Sequence, residues 1–329
     1  MTNVLVTGIT GFIGSRLASK LVENDYDVYG LVRHTSEREL SRLKPVLDRI
    51  HIIEGDLSRY HSVLSAVETS NPAIVFHLGA LTPVRLSFDD PYPYITTNFD
   101  GTVNLVHAIL KENPKTRLIA ASTAEVYGWQ DGKRPIREDD RLNPASPYAV
   151  TKSAADEYVQ MANKVYHLRG TVMRPINSYG RTGESGFMVE YLISKMLTDE
   201  TCYIGAPESV RDYMYMDDHV NAYLRAAEKT ESEGNVYNIS PGNPITNKDL
   251  ADMLQAMIGF KGKILYNSYP PGYPQRPKSQ DPQYLVLDSS KISRELGWRP
   301  SHTLKQGLKS TVDLWRRVPS GRVLQPNLV

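Results

Sequence analysis

Hydrophobic positions in the first half of the chain alternate between two rhythms. Short β-branched runs read as strands: Val4-Leu5-Val6, Val28 to Val32, Ile50 to Ile53, Ala73 to Leu78, Leu118 to Ala121 and Gly170 to Met173. Longer stretches with helical spacing lie between them: Phe12 to Asn24, Tyr60 to Thr69, Tyr94 to Lys111 and Tyr148 to His167. Strand–helix alternation of this kind predicts an α/β architecture, a doubly wound parallel sheet joined by right-handed crossovers with helices on both faces.

After Arg174 the rhythm changes. Glycine and proline become frequent, and helical stretches at Val189–Leu197, Val220–Lys229 and Lys248–Ile258 are separated by longer loops. Pro270-Pro271-Gly272-Tyr273-Pro274 must be irregular, because its prolines lack donors and fix φ. The expected division is residues 1–174 for the sheet domain and 175–329 for a smaller C-terminal part, interleaved with the last sheet strands. No periodicity follows Arg317.

Composition narrows the partners. The 38 basic and 37 acidic side chains leave a formal net charge of +1, which offers no electrostatic case for nucleic acid or a membrane surface. Cys202 is the single cysteine, so no disulfide within the chain and no cysteine-rich metal site is expected; no metal is assigned. Val4-Leu5-Val6 is too short for a signal peptide, and no run approaches the ~20 apolar residues of a membrane helix. A reducing cytoplasm is the expected compartment.

Thr7-Gly8-Ile9-Thr10-Gly11-Phe12-Ile13-Gly14 joins the first strand to the first helix. Gly8, Gly11 and Gly14 allow a tight turn, and the backbone N–H groups from Thr10 to Gly14 can approach a pyrophosphate at the positive end of the helix dipole. The spacing is GxxGxxG, and its place between strand and helix makes it a dinucleotide site of the Rossmann type. The second strand ends Leu31-Val32-Arg33-His34 without a carboxylate. Arg33 offers a fork to the extra phosphate of NADP, so NADP is expected over NAD; the alternative is a solvated surface arginine. Asp56 and Leu57 after the third strand fit the adenine ring, and Leu78 and Ala80 after the fourth fit the cofactor's underside.

The chemistry centres on Tyr148 and Lys152. The i,i+4 spacing sets both on one face at the start of a helix, and strand five ends in Ser122-Thr123-Ala124-Glu125 a short distance before. Removing a hydride from an alcohol requires a base for the hydroxyl proton. A tyrosine with an ordinary pKa of about 10 serves only if nearby positive charge stabilises its phenolate. Lys152 and an oxidised nicotinamide can supply that charge, while Thr123 can orient the substrate oxygen. The same spacing recurs at Tyr191 and Lys195 without a strand-end hydroxyl, and there it reads as packing plus a solvated lysine.

Together these motifs resemble the extended short-chain dehydrogenases/reductases of the nucleotide-sugar epimerase and dehydratase group over nearly the whole chain. The resemblance rests on TGxxGFxG, STxEVYG, SPYAxxK, Arg174-Pro175-Ile176-Asn177-Ser178-Tyr179-Gly180, Arg211-Asp212-Tyr213 and Leu296-Gly297-Trp298-Arg299-Pro300. It implies a nucleotide-diphosphate sugar as substrate, a homodimer, and contacts from Asn177, Arg211 and Arg276 to the diphosphate. Competing readings are a turn cap for Asn177 and ion pairs to Asp212 or Asp217 for Arg211. Asp217-Asp218-His219 reads as a helix N-cap before Val220.

Members of such a group first oxidise sugar C4. A 4,6-dehydratase then uses a glutamate at the place of Glu125 to remove the C5 proton, and the strand end Gly30-Leu31-Val32-Arg33 resembles GDP-mannose 4,6-dehydratases. Ala124 departs from the acid that dehydratases usually carry there. The expectation is a 4,6-dehydratase; a 4-epimerase, a uronic acid decarboxylase and a non-catalytic NADP sensor are the alternatives.

Overall fold

The computed structural model describes residues 1–33, 40–130, 134–270 and 282–317. Arg276, most of the proline-rich segment and the tail after Arg317 lie outside the described residues.

The strands of the first half are parallel, and all but the outermost are largely buried on both faces, as strands under two helical layers must be. They are β1 (Asn3–Thr7), β2 (Asp27–Val32), β3 (Ile50–Glu54), β4 (Ile74–His77), β5 (Arg117–Ala121) and β6 (Arg169–Pro175). The later strands are β7 (Asn177–Tyr179), β8 (Cys202–Ile204), β9 (Val210–Arg211), β10 (Tyr213–Tyr215), β11 (Val236–Ile239), β12 (Ile245–Thr246), β13 (Ile264–Tyr266) and β14 (Tyr284–Leu285). A seven-stranded parallel sheet runs β11-β6-β5-β4-β1-β2-β3. Strand order reverses between β1 and β4, and a doubly wound sheet opens its ligand crevice at that point.

The helices are α1 (Phe12–Glu23), α2 (Tyr60–Ser70), α3 (Gly101–Glu112), α4 (Pro147–Val165), α5 (Met188–Leu197), α6 (Met216–Glu228), α7 (Asn247–Ile258), α8 (Ser290–Leu296) and α9 (Leu304–Trp315). One core packs Leu17 and Leu21 of α1 with Val220 and Tyr223 of α6 against one sheet face. A second packs Val63 of α2, Ile109 of α3 and Val159 of α4 against the other. A third joins α5, α7 and α9 through Leu192, Leu254 and Leu308 in the C-terminal part. Because β11 lies beside β6, the C-terminal half of the chain supplies an edge of the main sheet. No helix among the described residues is long and apolar enough to cross a membrane.

Two expectations are revised. The stretch Tyr94–Lys111 is not one regular helix: an α-turn at Tyr92–Tyr94 and a π-helix at Ile95–Asp100 precede α3. The N-cap of α6 is Tyr215, so Asp217 and Asp218 fall within its first turn, where the helix dipole still favours negative charge. Tertiary partners hold both. Arg16 Nε meets Asp217 Oδ1 at 2.6 Å, and buried Asp218 accepts from Ser301 N at 2.8 Å and His302 N at 3.1 Å. Trp298 Nε1 donates to the Asp218 carbonyl at 3.0 Å, which gives the closing LGWRP segment a packing role.

Candidate active site

Gly8 takes φ +70°, and a Cβ there would lie 2.7 Å from the Gly79 nitrogen; a Cβ on Gly14 would lie 2.1 Å from the Gly8 carbonyl oxygen. Both glycines are therefore demanded by close backbone approach. Gly11 donates its N–H to Gly8 O at 3.0 Å and caps α1 without any side-chain hydrogen bond, and the first turn holds no acidic residue. That leaves a helix N-terminus shaped for an anion such as a pyrophosphate. Ile13 packs partly buried on the core beneath.

The C-terminal part reaches over this turn. Arg42 donates from Nη1 to Thr10 O at 3.2 Å and pairs through Nη2 with Glu184. The Arg181 guanidinium is stacked between the rings of Phe12, at 4.2 Å, and Phe187, at 3.8 Å.

Beside the turn, β4 ends in a buried polar chain. Asn98 O accepts from Thr102 Oγ1 at 2.6 Å, and Thr102 Oγ1 lies 3.0 Å from His77 Nε2. His77 Nδ1 lies 2.8 Å from Thr7 Oγ1, which accepts from Gly79 N at 3.0 Å. Since each hydroxyl has one proton, the chain assigns the His77 proton to Nε2. Burial, with the charge of Lys152 adding to it, drives the His77 pKa down to about 3, so the ring is neutral. The amide of Leu78 continues the pairing by donating to Thr7 O at 3.2 Å, and Ala80 follows, half-buried. Leu57 fits against Gly79 and Gly101, where added Cβ atoms would come within 2.6 Å and 2.9 Å of it. Asp56 accepts from Ser58 N at 2.9 Å. Burial opposes ionisation of Asp56, yet the Ser58 hydrogen bonds and the charge of Arg33 hold its carboxyl below the ordinary range. Arg33 itself is exposed at the end of β2.

The helix start carrying Tyr148 is capped twice. Ser146 Oγ accepts from Ala149 N at 3.1 Å, and the Tyr148 amide donates to Ser87 Oγ at 3.1 Å. Two residues past the end of β5, Thr123 caps a 3-10 turn at Ala124–Tyr127, its Oγ1 accepting from Glu125 N at 3.2 Å. Gly128 closes that turn at φ +49°, with the Asn143 carbonyl oxygen 1.8 Å from where a Cβ would stand. Burial pushes the Tyr148 phenol above its ordinary range; the Thr123 bond pulls it down, and the charge of Glu125 pushes it up again. The ring of Tyr94 meets Tyr148 edge-on at 6.4 Å. Lys152 Nζ donates to Ala121 O at 2.5 Å, and burial, opposed by the charge of Asp156, brings its pKa down to about 8. Thr123, Glu125, Tyr148 and Lys152 thus share one corner beyond the C-terminal end of β5, with Tyr148 and Lys152 buried and Thr123 and Glu125 partly so.

Toward the C-terminal part, Asn177 is exposed on β7 and pairs across to Tyr213, two residues beyond Arg211. Arg211 is buried on β9 and donates from Nη1 to Val210 O at 2.9 Å. The two acids considered as its partners have others: Asp217 meets Arg16, and Asp212 accepts from Ser240 Oγ at 2.5 Å. Tyr191 and Lys195 make no such corner. The Tyr191 hydroxyl accepts from Tyr203 N at 2.9 Å, and Lys195 meets Glu200 at 2.6 Å.

A family model described as GDP-mannose 4,6 dehydratase matches residues 5–311. The chain belongs to the extended short-chain dehydrogenase/reductase family of nucleotide-sugar epimerases and dehydratases. Within this family it is similar to a putative UDP-glucose 4-epimerase of Methanocaldococcus jannaschii, 30% identical with 94% of this chain and 97% of the relative covered. The solved UDP-glucose 4-epimerase of Thermotoga maritima, with UDP-glucose, superposes at a TM-score of 0.86, 30% identical, covering 96% of this chain and 99% of that one. A dTDP-glucose 4,6-dehydratase of Streptomyces venezuelae, with NAD, superposes at 0.84, 26% identical, covering 95% and 96%.

To the motifs legible in this family member's sequence the structure adds three residues around the corner. Asn98, in the π-helix, accepts from Leu81 N at 2.8 Å and donates to Leu81 O at 3.1 Å and Thr151 Oγ1 at 3.2 Å. Ser87 and His77 complete the set. Each acts through partners distant in sequence, and only the polar residue in an otherwise helical pattern at Asn98 left a local sign.

Proposed function

We propose that this protein is a nucleotide-diphosphate-hexose 4,6-dehydratase, with GDP-mannose as a candidate substrate, working through a 4-keto sugar and a tightly bound nicotinamide cofactor. The observation that carries the reading is the place of Glu125: its charge acts on the Tyr148 phenol from within the same 3-10 turn that Thr123 caps. The cradle at Gly8, Thr10, Gly11, Phe12, Ile13 and Gly14 holds the cofactor's pyrophosphate, with Asp56 and Leu57 at the adenine and Leu78 and Ala80 beneath. Arg33 favours NADP over NAD. A nicotinamide cofactor held by these residues would supply the hydride acceptor and donor for the sugar.

The chain's own groups do the proton work. Thr123 orients the C4 oxygen, and Tyr148 takes its proton as the C4 hydride leaves. Lys152, still protonated below a pKa of about 8, offsets the developing phenolate. Glu125 then removes the C5 proton that the neighbouring ketone has acidified. Ala124 can donate nothing, so the proton for the departing C6 hydroxyl comes from Glu125 itself or an ordered water. Asn177, Arg211 and Arg276 hold the diphosphate, the arginines by pairing phosphate oxygens.

Ala124 favours a second reading, a 4-epimerase, which needs no acid at C6. Product masses from a panel of nucleotide sugars separate the two. Loss of one water is expected; isomers of unchanged mass alone would overturn the dehydratase, and loss of carbon dioxide would indicate a decarboxylase. Cofactor released on denaturation is expected to be NADP, and NAD without NADP would reject the role of Arg33. A homodimer is also proposed, helped by Val150 and Val165, exposed on α4, and Tyr166, exposed just beyond its end; a sedimentation mass of one chain would reject it.

A further inference from the structure

Behind the turn carrying Thr123 and Glu125 stands a buried ion pair. Asp156 lies one helical turn past Lys152 on α4 with its side chain 0% exposed, and Arg174, near the end of β6, is 3% exposed. The carboxylate accepts four donors. Arg174 Nε, at 2.8 Å, and Ser122 Oγ, at 2.6 Å, reach Oδ2. Arg174 Nη2, at 3.0 Å, and Gln160 Nε2, at 2.7 Å, reach Oδ1. The remaining guanidinium nitrogen, Nη1, donates to Tyr127 Oη at 2.7 Å and Glu138 O at 3.1 Å. Tyr127 in turn donates to Asn238 Oδ1 at 2.7 Å.

The partners chosen are telling. Ser122 immediately precedes Thr123, and Tyr127 is the last residue of the 3-10 turn. The ion pair therefore grips the catalytic turn at both ends, and Thr123 and Glu125, the two residues of the turn that act on Tyr148, lie between the grips. A buried ion pair is a weak stability device, because desolvation offsets much of its attraction. What four charge-assisted hydrogen bonds do supply is direction. The pair also places a negative charge one turn from Lys152, where it counters the effect of burial on the ammonium.

We propose that Asp156 and Arg174 are positioning residues for proton transfer: Asp156 through Ser122, and Arg174 through Tyr127, hold Thr123 and Glu125 in register with Tyr148 and Lys152. This rests on the reading of Tyr148 as the catalytic base. Misplacing a reacting group by a fraction of an ångström slows the reaction without weakening substrate binding, so the effect belongs in kcat.

Ser122→Ala and Tyr127→Phe each remove one grip while leaving Asp156 and Arg174 paired. Each is expected to lower kcat roughly tenfold with KM little changed and cofactor still bound. Asp156→Asn is expected to lower kcat further and to move the alkaline limb of the kcat profile to lower pH, a shift that Ser122→Ala should not show. Normal kcat in folded Ser122→Ala and Tyr127→Phe would overturn the proposal, and these two decide it if Asp156→Asn does not fold. Tyr148→Phe, measured alongside, separates the failures. Turnover surviving there rejects the base itself, whereas a dead Tyr148→Phe beside normal grip variants rejects only the positioning roles.

Discussion

At the scale of single residues, burial raises the Tyr148 phenol and lowers the Lys152 ammonium, and in both cases it disfavours the charged form that catalysis would use. Tyr148→Phe keeps the ring and its edge contact with Tyr94, so fold and cofactor binding should persist while turnover falls by about 10² to 10⁴, read by steady-state kinetics. Lys152 also carries a stability signature. A lysine whose folded pKa is lowered makes the folded state bind fewer protons between the two values, so its contribution to stability rises with pH there. The drop from 10.5 to about 8 corresponds to about 3 kcal/mol. Urea unfolding of wild type and Lys152→Met should accordingly show the difference moving in favour of the wild type between pH 8 and 10.5. A pH-independent difference would contradict this.

At the scale of elements, the π-helix at Ile95–Asp100 is the irregularity with most attached to it. Its Asn98 binds both backbone groups of Leu81 and the hydroxyl of Thr151, and so ties the loop after β4 to the catalytic helix. Asn98→Leu removes the partner of the partly buried Leu81 amide and carbonyl, at a cost of about 2–4 kcal/mol. A loss of stability below that range, with unaltered kcat, would show that the tie is dispensable. The strands that the alternation of Val, Ile and Leu predicts in the first half are those found, because they lie in a parallel sheet whose burial is written into continuous apolar runs. The two-residue strands β9, β12 and β14 were not legible: nothing that short carries a period. Tyr148, Lys152, Thr123 and the glycines could be read because local turn and helix geometry confines them to fixed spacings. Asp156, Arg174, Ser87 and His77 could not, because their meaning depends on partners brought near by the fold alone.

At the scale of the whole molecule, the C-terminal part does more than present Asn177 and Arg211. Through Glu184 it bridges to Arg42, which holds the Thr10 carbonyl in the glycine turn, and through Arg181 it stacks on Phe12. An ion pair about one-third exposed on each side contributes ~1 kcal/mol or less at equilibrium. Arg42→Ala should therefore speed cofactor dissociation only several-fold, without abolishing binding; stopped-flow displacement measures it, and an unchanged rate would show that the bridge does not gate exit.

The edge strand β11 has a consequence in time. Val172 of β6 pairs with Val236, so during synthesis the outer edge of β6 waits for residues that do not yet exist. At the usual pace of a ribosome those 64 residues take roughly 3–13 s, during which a parallel strand of seven residues has one open side. Such an edge is a template for pairing with other chains. Chains truncated just before Val236 should aggregate faster than chains extended past Ile239, which still lack part of the C-terminal core but have the β6 edge covered. For this protein the order of manufacture sets a window of exposure that the finished molecule no longer displays.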